Sequence, residues 1–165
     1  MDIDSVSLLK EEYFNLQKVI EDFDSKTITI KAWSITGSLA AIAAGLTEKG
    51  QPGIFIVGAI ASLLFWIVEA YYKAYQLSYY KRIEEIEAFF SEPEKNKTAP
   101  LQTSNRWLDS YHKIYRGRII YLMWWPAIML PHIVILIGGI YLFCVNNHAL
   151  KACGAVKLSL CHWCW

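Results

Sequence analysis

Arg106 and His112 stand six residues apart in the stretch RWLDSYHKIYRGR. An imidazole can move protons near neutral pH while a guanidinium steadies a phosphate, so the pair could in principle work together on a phosphoryl group. Six is not a helical neighbour spacing, and the two side chains are expected on different faces. An arginine meeting lipid phosphate beside an interfacial histidine accounts for both residues without catalysis. His132 follows Pro131 in a long apolar run. If that run enters a bilayer near Trp125, the imidazole lies roughly 10 Å inside at helical rise. Ionisable groups at such depth are functional candidates, and histidine titrates in the physiological range. The alternative is local, with the imidazole satisfying a carbonyl that Pro131 frees. Cys161 and Cys164 form a C-x-x-C pair with Cys153 upstream. Without a second ligand pair no metal site is expected, and a disulfide would need an oxidising compartment. No glycine-rich phosphate loop, no paired carboxylates in an apolar run and no Ser/His/Asp set occurs. Neither an enzyme nor a cofactor is expected.

The elements that hold these residues are dictated by composition. Of 165 residues, 55% are apolar, 15% aromatic and 19% charged, too apolar for an average soluble domain. A formal charge of +1 leaves no basic excess for a nucleic-acid surface, so no direct nucleic-acid binding is expected. Charge is absent between Lys31 and Glu48, between Lys49 and Glu69, and between Arg118 and Lys151. Runs near or above ~18 uncharged residues suit a hydrocarbon core. The expected fold is an all-α membrane bundle with about three transmembrane helices and a cytoplasmic helical extension. The acidic N-terminus MDIDSVSLLKEEYF lacks the basic start of a cleavable leader, and none is expected.

Residues 1–29 read as an amphipathic helix, with Val6, Leu9, Tyr13, Leu16, Ile20 and Phe23 on a heptad seam and Glu12 among the charges off it. Asp24–Thr27 offer N-cap oxygens for a fresh helix. A transmembrane hairpin is expected over 30–68, with small residues Gly37, Ala41 and Gly45 on its first arm and Gly58 and Ser62 on its second. Such residues let helix backbones approach closely in lipid, and with His132 they are the candidate pore or packing positions. The second arm runs on without a breaker from about Ile54 to Phe90, 37 residues, or ~55 Å. A bilayer core needs only ~30 Å. The overhang carries Tyr72, Tyr75, Tyr79, Ile83 and Ile86 at helical spacing. That stripe is expected to pack in a cytoplasmic bundle and to serve as the contact between copies, and Trp107 and Tyr111 could lie against it. Residues 69–118 thus form a cytoplasmic helical hairpin around a polar loop, 91–105. Residues 119–145 form a third transmembrane helix with an interfacial or kinked start at Trp124–Pro126, and 146–165 a tail. Lys and Arg crowd 69–118, which places that segment and the N-terminus on the cytoplasmic side.

This layout resembles the small membrane effectors and accessory proteins of prokaryotic anti-phage defence, associated with nucleotide signalling or RNA-targeting CRISPR systems. The resemblance covers residues 1–118 as architecture. It implies a homo-oligomeric pore that depolarises the inner membrane, whose partners are the lipid bilayer, other copies and a cytosolic defence protein. The spacing of Arg106 and His112 also resembles the nuclease motif of HEPN domains, which implies a membrane-tethered ribonuclease. The remaining expectation is an interaction module that recruits a cytosolic partner through residues 70–118.

Overall fold

The computed structural model describes the backbone of residues 3–47 and 51–161, and the side chains of 4–47 and 51–147. Every regular element among the described residues is helical. Three helices are long and apolar enough to cross a membrane. The chain divides into two compact units. The first draws on the chain up to Ile30 and on Ile67–Ile128; the second draws on Lys31–Trp66 and the chain from Met129.

Helix α1 runs from Ile3 to Gly45 without interruption. The fresh helix expected at Asp24–Thr27 therefore does not begin there. Capping residues compete for backbone groups only if their oxygens bond outside the helix. Here Thr27 Oγ1 donates to the Phe23 carbonyl at 2.9 Å and Thr29 Oγ1 to that of Ser25 at 3.1 Å. No glycine or proline lies between Ile3 and Thr36 to impose a break. Helix α2 spans Gly53–Ser91, one residue longer at each end than the sequence suggests. Pro93 forbids much continuation, and the Asn96 amide donates to the Ala88 carbonyl at 3.0 Å, which satisfies one of the last open acceptors. A short α3 (Thr103–Ser110) passes into a π-turn over Tyr111–Tyr115 and a 3-10 turn over Arg116–Arg118. Helix α4 (Ile119–Met123) stops at Trp124, and α5 (Pro126–Cys161) starts afresh on a proline, the residue best suited to a first helical position.

In the first unit α1 and α2 pair antiparallel, since partners fall along α2 as numbers rise along α1: Glu12 meets Arg82, Ile20 meets Gln76 and Phe23 meets Tyr72. Leu9, Leu16 and Ile20 of α1 bury against Ile83, Ile86 and Phe89 of α2, with Tyr13 and Tyr79 at the edge. Trp107 of α3 caps the rest of the stripe. Its ring lies 5.8 Å from that of Tyr75 and 5.9 Å from that of Tyr79, and its indole N–H donates to the Tyr75 carbonyl.

The second unit is built on small residues. A Cβ on Gly45 would sit 2.7 Å from the Phe55 ring, and one on Gly58 would sit 3.3 Å from the Ala41 Cβ. These contacts pair the arms of a helical hairpin, as the sequence suggests. Helix α5 lies equally close, because a Cβ on Gly139 would come within 3.0 Å of the Phe55 carbonyl oxygen and 3.1 Å of the Ala59 Cβ. Its neighbour Gly138 meets nothing within 4 Å. Gly139→Ala should therefore lower the thermal midpoint in detergent, at an overpacking cost of about 1–3 kcal/mol. Gly138→Ala should leave it unchanged or slightly higher. Equal midpoints for the two variants would refute the close approach.

Candidate functional site

Two clusters of buried polar side chains stand out, one in each unit. The first is centred on Arg82, whose side chain is fully buried. A guanidinium carries five N–H donors, and Arg82 makes five hydrogen bonds. Nε donates to Glu12 Oε1 at 2.9 Å and Nη2 to Glu12 Oε2 at 3.0 Å, a bidentate pair. Nη1 donates to Thr98 Oγ1 at 2.8 Å and to Glu85 Oε2 at 3.3 Å, and Nη2 also to the Ala99 carbonyl at 2.8 Å. The Glu12 carboxylate is as fully used. Besides Arg82 it accepts the Thr103 hydroxyl at 2.6 Å and the Leu101 backbone N–H at 2.9 Å. Helix α1, helix α2, the 92–102 loop and the start of α3 therefore meet on one ion pair.

Leu101 shows what the network does to the backbone. Its φ is 59°, the left-handed region that a branched side chain rarely adopts, and its side chain is left exposed. That conformation turns its N–H onto Glu12. Burial by itself pushes the Glu12 carboxyl up, but hydrogen bonds from Arg82, Thr103 and Leu101 outweigh it and hold the carboxyl below its ordinary value of 4.5. Burial likewise works against the charge on Arg82, and its bonds to Glu12 and Glu85 more than restore it. The sequence assigns Glu12 to the solvent side of α1. In the structure it lies on the buried face, three residues after Leu9 and four before Leu16, and Arg82, Thr103 and the Leu101 N–H together make that tolerable.

The second cluster joins α1, α2 and α5. His132 is fully buried and its Nδ1 shares a hydrogen bond with Ser34 Oγ at 3.1 Å. The Ser62 hydroxyl donates to the His132 carbonyl at 3.2 Å, and the Trp66 indole stacks over the imidazole at 6.4 Å between centroids and 12° between planes. Ser38 Oγ donates to the Gly58 carbonyl at 3.4 Å. His132 and Ser62 were legible as candidates. Ser34 and Ser38 were not, and the bond between His132 Nδ1 and Ser34 joins two helices.

The other candidates separate. Ala41, Gly45 and Gly58 pack inside the hairpin, but Gly37 meets nothing within 4 Å. Steps of four residues drift by about 40° each on a helix of 3.6 per turn, so Gly37 turns about 80° away from Gly45 and is exposed where Gly45 is buried. Ile83 and Ile86 are 5% and 0% exposed, and the half-buried Tyr72, Tyr75 and Tyr79 meet Phe23, Trp107 and Tyr111 in edge-on or tilted contacts. Much of the stripe expected to join copies is thus packed within one chain, with its tyrosines left partly exposed. Arg106 pairs with Glu85 at 3.3 Å and the exposed His112 ring meets Tyr111 edge-on, and among the described residues the two share no partner. Cys161 and Cys164 lie outside the described side chains. No family model, curated protein or solved structure matches the chain.

The network around Arg82 has a measurable signature. A carboxyl with a depressed folded value stabilises fully above its unfolded value, and that stability is lost as pH falls through the folded one. The thermal midpoint should stay level from neutral pH down to about 4.5 and drop below it. Glu12→Gln should cost about 3–5 kcal/mol at neutral pH, the range for breaking a buried pair, and should flatten the acid limb. A midpoint within a degree or two of the wild type across the titration would contradict this account.

Proposed function

We propose that the chain is an integral membrane protein of the bacterial inner membrane that self-associates into a pore and thereby permeabilises or depolarises it. The observation that carries the first step is the inverted polarity of the second unit. Ser34, Ser38, Ser62 and His132 are buried, while Trp33, Leu39, Val57, Leu64, Val134 and Ile137 are all more than half exposed. Water would reverse that order, and hydrocarbon favours it. The first unit, with its ion pairs, is the cytoplasmic part; the Lys and Arg of 69–118 support that orientation.

The second step rests on what one chain lacks. Among the described residues, the buried hydroxyls and the imidazole bond to one another and to backbone carbonyls, a set that closes on itself rather than lining a path through one subunit. Permeation therefore calls for several copies. The face for their contact is the exposed side of α1 around Gly37, Ala40 and Ala44, small residues that permit close approach in lipid. Resemblance to anti-phage effectors gives the biological setting, membrane depolarisation during infection.

A second reading has one observation in its favour. Phe90 is 40% exposed and lines a cavity of ≈ 840 Å³ with Val6, Phe89, Pro93 and Pro100, an apolar hollow in the unit assigned to the cytoplasm. A membrane-anchored module that recruits a cytosolic partner would use such a surface.

Light scattering of the detergent-solubilised protein, with the detergent mass subtracted, separates the two. The pore reading expects a discrete multimer, and leakage from liposomes that contain it. Gly37→Leu should overpack the contact by about 1–3 kcal/mol, dissociate the multimer and suppress leakage while the thermal midpoint of the subunit holds. A wild-type monomer would sink the pore and shift the weight to recruitment.

A further inference from the structure

A cavity of ≈ 350 Å³ opens between the end of α2, the following loop and α3, walled by Glu85, Lys95, Asn96, Lys97, Thr98 and Arg106. Its chemistry is that of a donor-lined hollow. Three of these side chains are cations and one is a carboxylate, and the carboxylate is already claimed. Glu85 Oε2 lies 3.3 Å from Arg82 Nη1 and 3.3 Å from Arg106 Nε, so its charge is shared between two guanidiniums. We propose that this cavity binds the phosphate monoester group of a small molecule.

The donors fit that assignment one by one. Arg106 engages Glu85 through Nε, and its two Nη nitrogens meet no acceptor among the described residues. That edge is the fork that grips two oxygens of one phosphate. Lys97 has no ion pair among the described residues and adds a mobile point charge. Thr98 Oγ1 accepts from Arg82 Nη1 at 2.8 Å, which leaves its own hydrogen to donate. Lys95 is shared with Glu92 at 2.9 Å, so it contributes less. A phosphate monoester, with close to two negative charges and three acceptor oxygens at neutral pH, matches this set.

The loop that carries these donors is held in place. The Asn96 side chain donates to the Ala88 carbonyl at 3.0 Å, and the Lys95 and Asn96 backbone N–H groups donate to the Glu92 carbonyl. Arg82 fixes Thr98 and Ala99 from beneath. Little ordering remains to be done on binding. The volume is at the small end for ligand sites and suits a compact metabolite rather than a polymer.

Phosphate monoesters come from solution or from a lipid headgroup. Glu69 closes the apolar run of α2, and Glu85 lies sixteen residues beyond it, ~24 Å further along the helix. That distance favours the soluble source.

Calorimetric titration of the full chain in phosphatidylcholine nanodiscs with glycerol 3-phosphate tests the site, with glycerol as the uncharged control. The expected result is saturable binding of the ester alone, weakened by added salt. Lys97→Gln should bind roughly tenfold more weakly, the value of one charge-assisted contact, and Lys97→Arg should retain binding. Lys97 is exposed and supports nothing else, so neither variant should disturb folding. No saturation with the ester, or equal affinity in Lys97→Gln, would overturn the assignment. A response confined to nanodiscs doped with phosphatidate would overturn the soluble source and give the phosphate to a lipid.

Discussion

A guanidinium removed from water must have every donor met, and Arg82 has all five met by groups from separate parts of the chain. The cost of burying both charges is several kcal/mol per ion before compensation, so the bidentate pair with Glu12 is tolerated only as a complete set. Helix α1 contributes the carboxylate, the 92–102 loop contributes Thr98 and Ala99, and the start of α3 contributes Thr103. None of these pieces holds its place independently. The left-handed backbone at Leu101 costs on the order of 1–3 kcal/mol, and it persists because its N–H completes the coordination of Glu12. Trp107 then reaches Tyr75 and Tyr79 because Thr103 has anchored the helix that carries it. The cavity beside Glu85 inherits its walls from the same anchor.

The second unit solves the opposite problem. Among the described residues its buried polar side chains are three serines and one histidine, and three bonds they make join helices. Ser34 with His132 ties α1 to α5, Ser62 with the His132 backbone ties α2 to α5, and Ser38 with Gly58 ties the hairpin. Such bonds need backbones close together, which the glycines at 45, 58 and 139 supply. Packing and polarity thus depend on one another. A side chain at Gly139 would push α5 from α2 and stretch the bond between Ser62 and His132.

Much of this fold was legible in the sequence because it follows from local pattern. The unbroken phase from Ile54 to Phe90 gave the length of α2 to within a residue at each end, and Trp124–Pro126 marked a true break. The spacing of Trp107 and Tyr111 placed them on the tyrosine stripe. Asp24–Thr27 misled because a capping residue is defined by where its oxygen bonds, which sequence does not record. Glu12 misled more deeply. Its partner is seventy positions away, and a lone carboxylate beside a seam is ordinarily solvated. Ser34 and Ser38 gave no signal at all, since serine is common on every face of a helix. The stripe was visible as a surface needing cover, but periodicity cannot say whether the cover comes from the same chain or another.

The two units also differ in what kind of polar group each can bury, and that difference bears on function. Full charges occur together in the first, where Glu12 and Arg82 neutralise each other and Glu85, the Thr98 hydroxyl and the Ala99 carbonyl complete the set. The second has no residue among Asp, Glu, Lys or Arg from Ala32 to Thr47, and none from Gly53 to Trp66. Among the described residues, the buried polar side chains of this unit bond to one another and to backbone carbonyls, which is why the pore proposed above would form between copies. The proposed conduit would be bounded by surfaces exposed in one chain, where Thr36 and the small residues of α1 lie among largely apolar side chains. A pore lined by Gly37, Ala40 and Ala44 would owe its polarity to accessible backbone rather than to side chains. It would discriminate weakly between ions, which is the property that dissipation of a membrane potential requires.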